Sequence, residues 1–166
     1  MDSLTYSWHP AGGADVPAIV SMAESHFQTE IDQIFTPDPI AYARNISQAV
    51  VQQFYAPLTE LVSVAKTQQN QLIAYTWARR NERAAWSDDE MIVVRMAHLD
   101  LSLPARTRIA LVNDMIELWE SWAQMCSVPV ICSTTMRGDQ TAFLKLHQRR
   151  GYDVRGSYAY KRLELK

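Results

Sequence analysis

Arg106 and Arg108 stand in the first turn of a segment that Pro104 opens as a helix. Cations at a helix start oppose its dipole by about 0.3 kcal/mol or more. A phosphate removes that conflict, because guanidinium groups and free amide N–H groups both donate to it. A solvated first turn is the plainer alternative. Four histidines occur, and an imidazole of unperturbed pKa near ~6.5 exchanges a proton readily at neutral pH. His147 shares a helical face with Phe143, Leu144 and Leu146, and His98 lies inside the apolar run MIVVRMAHL (91–99). Glu90 and Asp100 flank that run. His98, Glu90 and Asp100 are side chains able to accept a proton there. Core histidines and a carboxylate that only turns the chain are the structural alternatives. His9 and His26 have no partner in the sequence and read as structural. Cys126 and Cys132 sit in apolar surroundings and read as reduced core thiols of a cytoplasmic chain. No Ser/His/Asp arrangement, Walker loop or metal-ligand spacing appears, so no metal is expected.

These residues need elements to position them. Leu4, Tyr6 and Trp8 alternate as a half-buried strand. Asp15 with Pro17 predicts a capped helix carrying Ile19, Met22, Ala23, His26, Phe27, Ile31 and Ile34. Asp38-Pro39 opens a second helix, with Tyr42, Ile46, Val50 and Phe54 at i+4 steps. Residues 61–65 and 72–79 form a hairpin around TQQNQ, and 80–90 is a polar loop. Residues 91–99 make a central strand, 104–125 the longest helix, and 128–133 a short strand. Asp139 caps a last helix that ends at Gly151. Residues 152–155 and 158–165 are two final strands. The order is β-α-α-β-β-β-α-β-α-β-β, an α/β chain of one domain with about four helices around a mixed, mostly antiparallel sheet.

The chain has 166 residues, 48% of them hydrophobic and 20% charged, which excludes a disordered polymer. A net charge of −2 gives no strong signal for nucleic acid or an anionic membrane. No apolar run reaches the ~20 residues of a membrane span. The opening MDSLTYSWHP has an acidic second residue and no apolar stretch, so a signal peptide is not expected.

The element order, and residues 91–162 above all, resemble the GNAT superfamily of N-acyltransferases. In that family a central strand leads through a turn, Arg/Gln-x-x-Gly-x-Gly/Ala, into a helix whose start binds the pyrophosphate of acyl-CoA. Here the corresponding stretch is DLSLPARTRIALV. Leu103 takes the Arg/Gln position, and Arg106 and Arg108 take the glycine positions. Glycine lets a backbone approach phosphate closely, so two arginines bind an anion by a different route or have lost it. The family's later helix, Asn-x-x-Ala-x-x-Leu-Tyr-x-x-x-Gly-Phe, corresponds to QTAFLKLHQRRGY (140–152). Gln140 takes the Asn position, Phe143 the Ala position and His147 the Tyr position, while Leu146, Gly151 and Tyr152 match in type.

The resemblance implies direct acyl transfer from acetyl-CoA or another acyl-CoA to a primary amine of a small molecule or peptide. It implies a cofactor site of Ala97, His98 and Leu99 on the strand, Arg106, Thr107, Arg108 and Ile109 at the helix start, and Gln140 and Phe143 beyond. His147 would protonate the leaving thiolate, Asp100 (or His98 or Glu90) would take the amine's proton, and Tyr158 and Tyr160 would line the acceptor groove. Acidic residues Asp88, Asp89 and Glu90 suit a cationic acceptor. The lost glycines equally resemble phage proteins of the superfamily, some virion-associated, which implies an inactive binding or assembly module. Trp86, Trp119 and Trp122 are the interface candidates of that reading, with a homodimer or a virion component as partner, although Trp119 and Trp122, at i and i+3 of the long helix, read first as core.

Overall fold

A computed structural model describes residues 4–31, 34–156, 159, 161 and 162. The chain runs β1 (Tyr6–Pro10), a 3-10 turn (Gly13–Asp15), α1 (Val16–Glu30), α2 (Pro39–Tyr55), β2 (Glu60–Thr67), β3 (Leu72–Arg83), β4 (Glu90–Leu99), α3 (Ala105–Met125), β5 (Val130–Ser133) and α4 (Thr141–Arg149). Among the described residues the sheet has five strands in the order β1-β2-β3-β4-β5. The first three pairings are antiparallel, and β4 pairs with β5 in parallel. The parallel pair needs a crossover, and α3 supplies it.

Each face of the sheet is covered because each strand alternates. Val62, Val64 and Tyr75 point to α1 and α2 and pack on Ile19, Ala23, Tyr42 and Ile46. Ala78, Ile92 and Val94 pack on the other side with Leu111, Met115, Ile116 and Trp119 of α3. Trp119 is fully buried. Its indole N–H donates to Thr76 Oγ1 at 2.9 Å, and that hydroxyl donates on to the Met96 carbonyl at 3.0 Å. Trp119 and Trp122 are therefore core residues, while Trp86 is exposed.

Several local expectations are met, and others shift. Asp38 caps α2 by accepting from Ala41 N–H at 2.9 Å. Gly151 has φ of 86°, and Tyr152 N–H donates back to the His147 carbonyl at 3.1 Å, closing α4 with a left-handed residue. Asp15 does not cap α1 with its side chain. Its carboxylate turns back to Gly12 N–H at 2.9 Å and pairs with Lys66 on β2. The polar loop expected at 80–90 is shorter, because β3 continues to Arg83. Arg80 forks onto Glu90 at 2.6 and 2.9 Å, a charge pair that extends the hairpin. Residues 152–156 are not a strand. Of the last predicted strand, Tyr158, Tyr160 and 163–165 lie outside the described residues, so both groove tyrosines do too.

Candidate active site

β4 carries one residue too many for its partner. Trp77 faces Met96 and Ala78 faces Val94, so Arg95 is the extra residue of a bulge. The β5 pairing ends beside it, running from Met91 with Val130 to Val94 with Ser133. β4 continues to Leu99, while the other chain turns off into loop 134–140. A wedge opens where the two part. It holds a cleft of about 300 Å³ walled by β4, α1, the start of α3, loop 134–140 and the start of α4.

Of the sequence-predicted residues, Ala97, His98, Leu99, Arg108, Ile109 and Phe143 line this cleft. Leu99 turns its carbonyl away from β3 to accept from His26 Nε2 at 2.8 Å. Backbone direction alternates along a strand, so the N–H of Ala97 also faces the unpaired edge. Arg108 N–H closes the first turn of α3 on the Pro104 carbonyl at 3.0 Å. The amides of Ala105, Arg106 and Thr107 are the ones left open by helix geometry. Arg108 Nε is buried and has no hydrogen-bond partner. Such an orphan donor costs about 1–3 kcal/mol, so it marks a place for an acceptor. Arg106 is exposed, and Arg106, Thr107 and Gln140 lie off the cleft wall.

Of the expected proton carriers, Asp100, His147 and Glu90 are placed off the cleft wall, whereas His98 is on it. Asp100 accepts from Ser102 N–H at 2.9 Å and Ser102 Oγ at 2.7 Å, which shapes the loop into α3. It is not on the cleft wall. His147 is buried off the wall, with its ring 4.2 Å from Phe143 and 5.0 Å from Tyr152. Its Nδ1–H donates to the Phe143 carbonyl at 2.9 Å, and Nε2 accepts from Ser133 Oγ at 3.1 Å. Both nitrogens are engaged, Nδ1 within α4 and Nε2 in holding α4 to the end of β5. Burial pushes its pKa down, so it is neutral at neutral pH. Glu90 is locked to Arg80 at the first residue of β4, which holds its carboxyl at about 2.

The structure instead joins His98, one of the expected proton acceptors, to three residues that the sequence does not single out for chemistry. His26 and Glu30 of α1 meet His98 of β4 and Arg137 of the 134–140 loop at the cleft. The imidazoles of His26 and His98 stack 4.2 Å apart at 10°. His98 Nε2–H donates to Glu30 Oε2 at 3.1 Å. His98 Nδ1 accepts from Tyr75 OH at 2.6 Å, and Tyr42 OH lies 2.8 Å from Tyr75 OH. Arg137 Nε donates to Glu30 Oε1 at 2.8 Å, and Arg137 Nη2 donates to His26 Nδ1. Burial favours the neutral form of Glu30, but His26, His98 and Arg137 overcome it and hold the carboxyl well below its usual range. Burial pushes His98 down despite Glu30.

Two histidines and a carboxylate with ligand atoms within 4.8 Å have the composition of a metal site. This corrects the expectation that no such set occurs. Here the parallel rings do not converge on one point, and the cation on the group is the Arg137 guanidinium. His26, expected to be structural, belongs to this cluster. The available signal was its i, i+4 spacing to Glu30 inside an otherwise apolar stripe, which sets two polar groups on one inward face.

A mixed sheet whose parallel strands splay beside a crossover helix, with helices on both faces, is the architecture of the GNAT acetyltransferases, and this chain has that fold. The solved structures that match it agree. An aminoglycoside 6'-N-acetyltransferase of Acinetobacter baumannii aligns over 98% of this chain and 100% of its own, with a TM-score of 0.69 and 14% identity. A predicted acetyltransferase of Clostridium acetobutylicum, solved with acetyl-CoA, covers 98% and 96% with a TM-score of 0.71 and 12% identity. Glucosamine-6-phosphate N-acetyltransferase of Arabidopsis thaliana covers 96% and 99% with a TM-score of 0.68 and 7% identity. No protein-family model and no curated protein matches the sequence. Among the described residues, no helix is long and apolar enough to cross a membrane.

Proposed function

We propose that the chain is an acyl-CoA-dependent N-acyltransferase that moves an acyl group directly to a primary amine in this cleft. The observation that carries the reading is the early end of the β4–β5 ladder at Val94 and Ser133, which opens strand edge and helix start to one ligand. The residues fit an acyl-CoA. Arg108 Nε is a buried donor without an acceptor, and the first-turn amides of α3 add N–H groups for a diphosphate. Ile109 and Phe143 give apolar walls. Acyl-CoA would supply the activated acyl thioester.

The chain's own groups do the rest. Ala97 N–H, on the open edge, is a preorganised donor for a developing oxyanion. The His26 Nε2–H bond to the Leu99 carbonyl fixes one tautomer, so Nδ1, which Arg137 caps in the free protein, is the proton acceptor on the cleft once Arg137 moves aside. We assign Nδ1 the first proton of the incoming ammonium; the neutral amine then attacks the thioester carbonyl, the C–S bond breaks, and the second nitrogen proton leaves with the sulfur as the free thiol. His98 holds Glu30 in place, and Glu30 balances the imidazolium that forms. Asp100 and His147 shape the loop and the α4 start in this scheme.

The test is calorimetric titration of acetyl-CoA into the wild type and Arg108→Glu, followed by thiol release across a panel of amines. Binding with a rise of several degrees in Tm, lost in the variant, is expected. No heat and no Tm change at millimolar acetyl-CoA would overturn the reading and leave the fold as a binding or assembly module.

A further inference from the structure

Two acceptor atoms face the cleft, Glu30 Oε1 and His26 Nδ1, 3.6 Å apart. One side chain satisfies both. Arg137 reaches them from the 134–140 loop, through Nε to the carboxylate and Nη2 to the imidazole. The Glu30 and His26 side chains keep only 13% and 2% of their exposure, whereas Arg137 keeps 34%. Glu30 is thus a carboxylate largely withdrawn from water. Its second oxygen is held by His98, which is itself fixed from behind by Tyr75. The bonds on the core side belong to strand and helix, and the bonds on the cleft side belong to a loop residue.

We propose that Arg137 occupies the acceptor's place in the free protein, bound to Glu30 and His26, and that the acceptor's ammonium group must displace it. This rests on the acyl-transfer reading above and makes Arg137 an internal competitor of the acceptor. A carboxylate so far removed from water stays charged only beside a positive partner. A neutral alcohol or amide that displaced Arg137 would leave Glu30 unpaired, whereas an ammonium group would not. An ammonium also has enough N–H donors to reach both Oε1 and Nδ1. Its proton then passes to His26 Nδ1, giving a neutral amine nucleophile and an imidazolium beside Glu30. The amide product carries no charge on that nitrogen, so Arg137 competes it away.

The experiment compares butylammonium chloride with 1-butanol at constant ionic strength, followed by the NMR shifts of the histidine rings in the wild type, Arg137→Gln and Arg137→Gln/Glu30→Gln. The expected result is that Arg137→Gln binds butylammonium about tenfold tighter than the wild type, the size of one charged hydrogen bond. Binding of 1-butanol should be the same in both, and the double variant should lose the gain. Equal or weaker butylammonium binding in Arg137→Gln would overturn the proposal. Arg137→Lys, which keeps the charge but not the fork, should fall between the two and serves if Arg137→Gln does not fold. Acetyl-CoA titration of the wild type separates the failures. Absence of acetyl-CoA binding removes the transferase reading, whereas acetyl-CoA binding with no Arg137 effect removes only the displacement.

Discussion

His26 Nε2 and the carbonyl of Leu99 meet at 2.8 Å, joining α1 to the last residue of β4 across 73 positions of sequence. The contact orients the imidazole and also satisfies a strand carbonyl that has no β5 neighbour. His26→Phe should therefore lower the rate of thiol release by about 10²–10⁴-fold, the usual worth of a positioned base. It should also cost about 1–3 kcal/mol of stability through the orphaned carbonyl. His26→Gln restores a donor without a base, so its stability should recover while its rate does not. Urea unfolding and thiol-release kinetics on the two variants check this, and recovery of rate in His26→Gln would contradict it.

Arg108 makes an opposite pair of predictions. Its Nε has no partner in the free protein, so Arg108→Met should raise the Tm of the free chain or leave it unchanged. The same variant should weaken acetyl-CoA about 10–100-fold, the loss of a hydrogen bond to a charged group. Thermal melts and calorimetry on one sample report both quantities. A variant that loses stability and keeps its affinity for acetyl-CoA would refute the assignment.

Acid should destabilise the fold from near neutrality. Burial lowers the pKa of both His147 and His98, with Glu120 opposing it at His147 and Glu30 at His98. The unfolded chain then binds more protons than the native state as pH falls below the ordinary histidine value of ~6.5. Stability is fully present above that value and declines as pH drops through it. Glu30 adds loss in the same direction at lower pH, since its native pKa lies below that of the unfolded chain. Melting temperatures taken from pH 8 to pH 5 should fall, and His147→Gln should flatten the slope. A pH-independent Tm over that range would contradict the burial of both rings.

Trp119 is the largest test of the core. Trp119→Ala should cost about 3–5 kcal/mol in urea unfolding from lost burial. Trp119→Phe keeps most of the volume but leaves Thr76 Oγ1 without the indole donor. Its cost should be nearer ~1 kcal/mol. A loss in the phenylalanine variant as large as in the alanine variant would show that the indole N–H matters more than the packing.

The framework was readable because it is written locally. Asp38-Pro39, the 91–99 run, Pro104 and Gly151 are punctuation whose meaning depends on neighbours a few residues away. The bulge at Arg95 was not readable, since one extra residue in an apolar run shows only against the partner strand. The site divided along the same line. Ala97, Arg108 and Phe143 fell on the cleft because strand end, helix start and the next helix place them through backbone alone. His147 is pointed to by its motif position and Asp100 by its place at the exit of the strand, and there the side chains serve the helix packing and the turn. Glu30 and Arg137 are 107 positions apart, and no spacing rule spans that distance. Only the meeting of α1 with the loop after β5 reveals them.

The parallel seam of β4 and β5 is four residue pairs long. The hollow beside it thus comes from main-chain geometry, from a ladder that stops early, and not from small side chains lining a tight core. Substituting the lining one residue at a time can retune such a hollow but cannot erase it. Sealing it would take a change in strand register, which would turn every β5 side chain to the opposite layer.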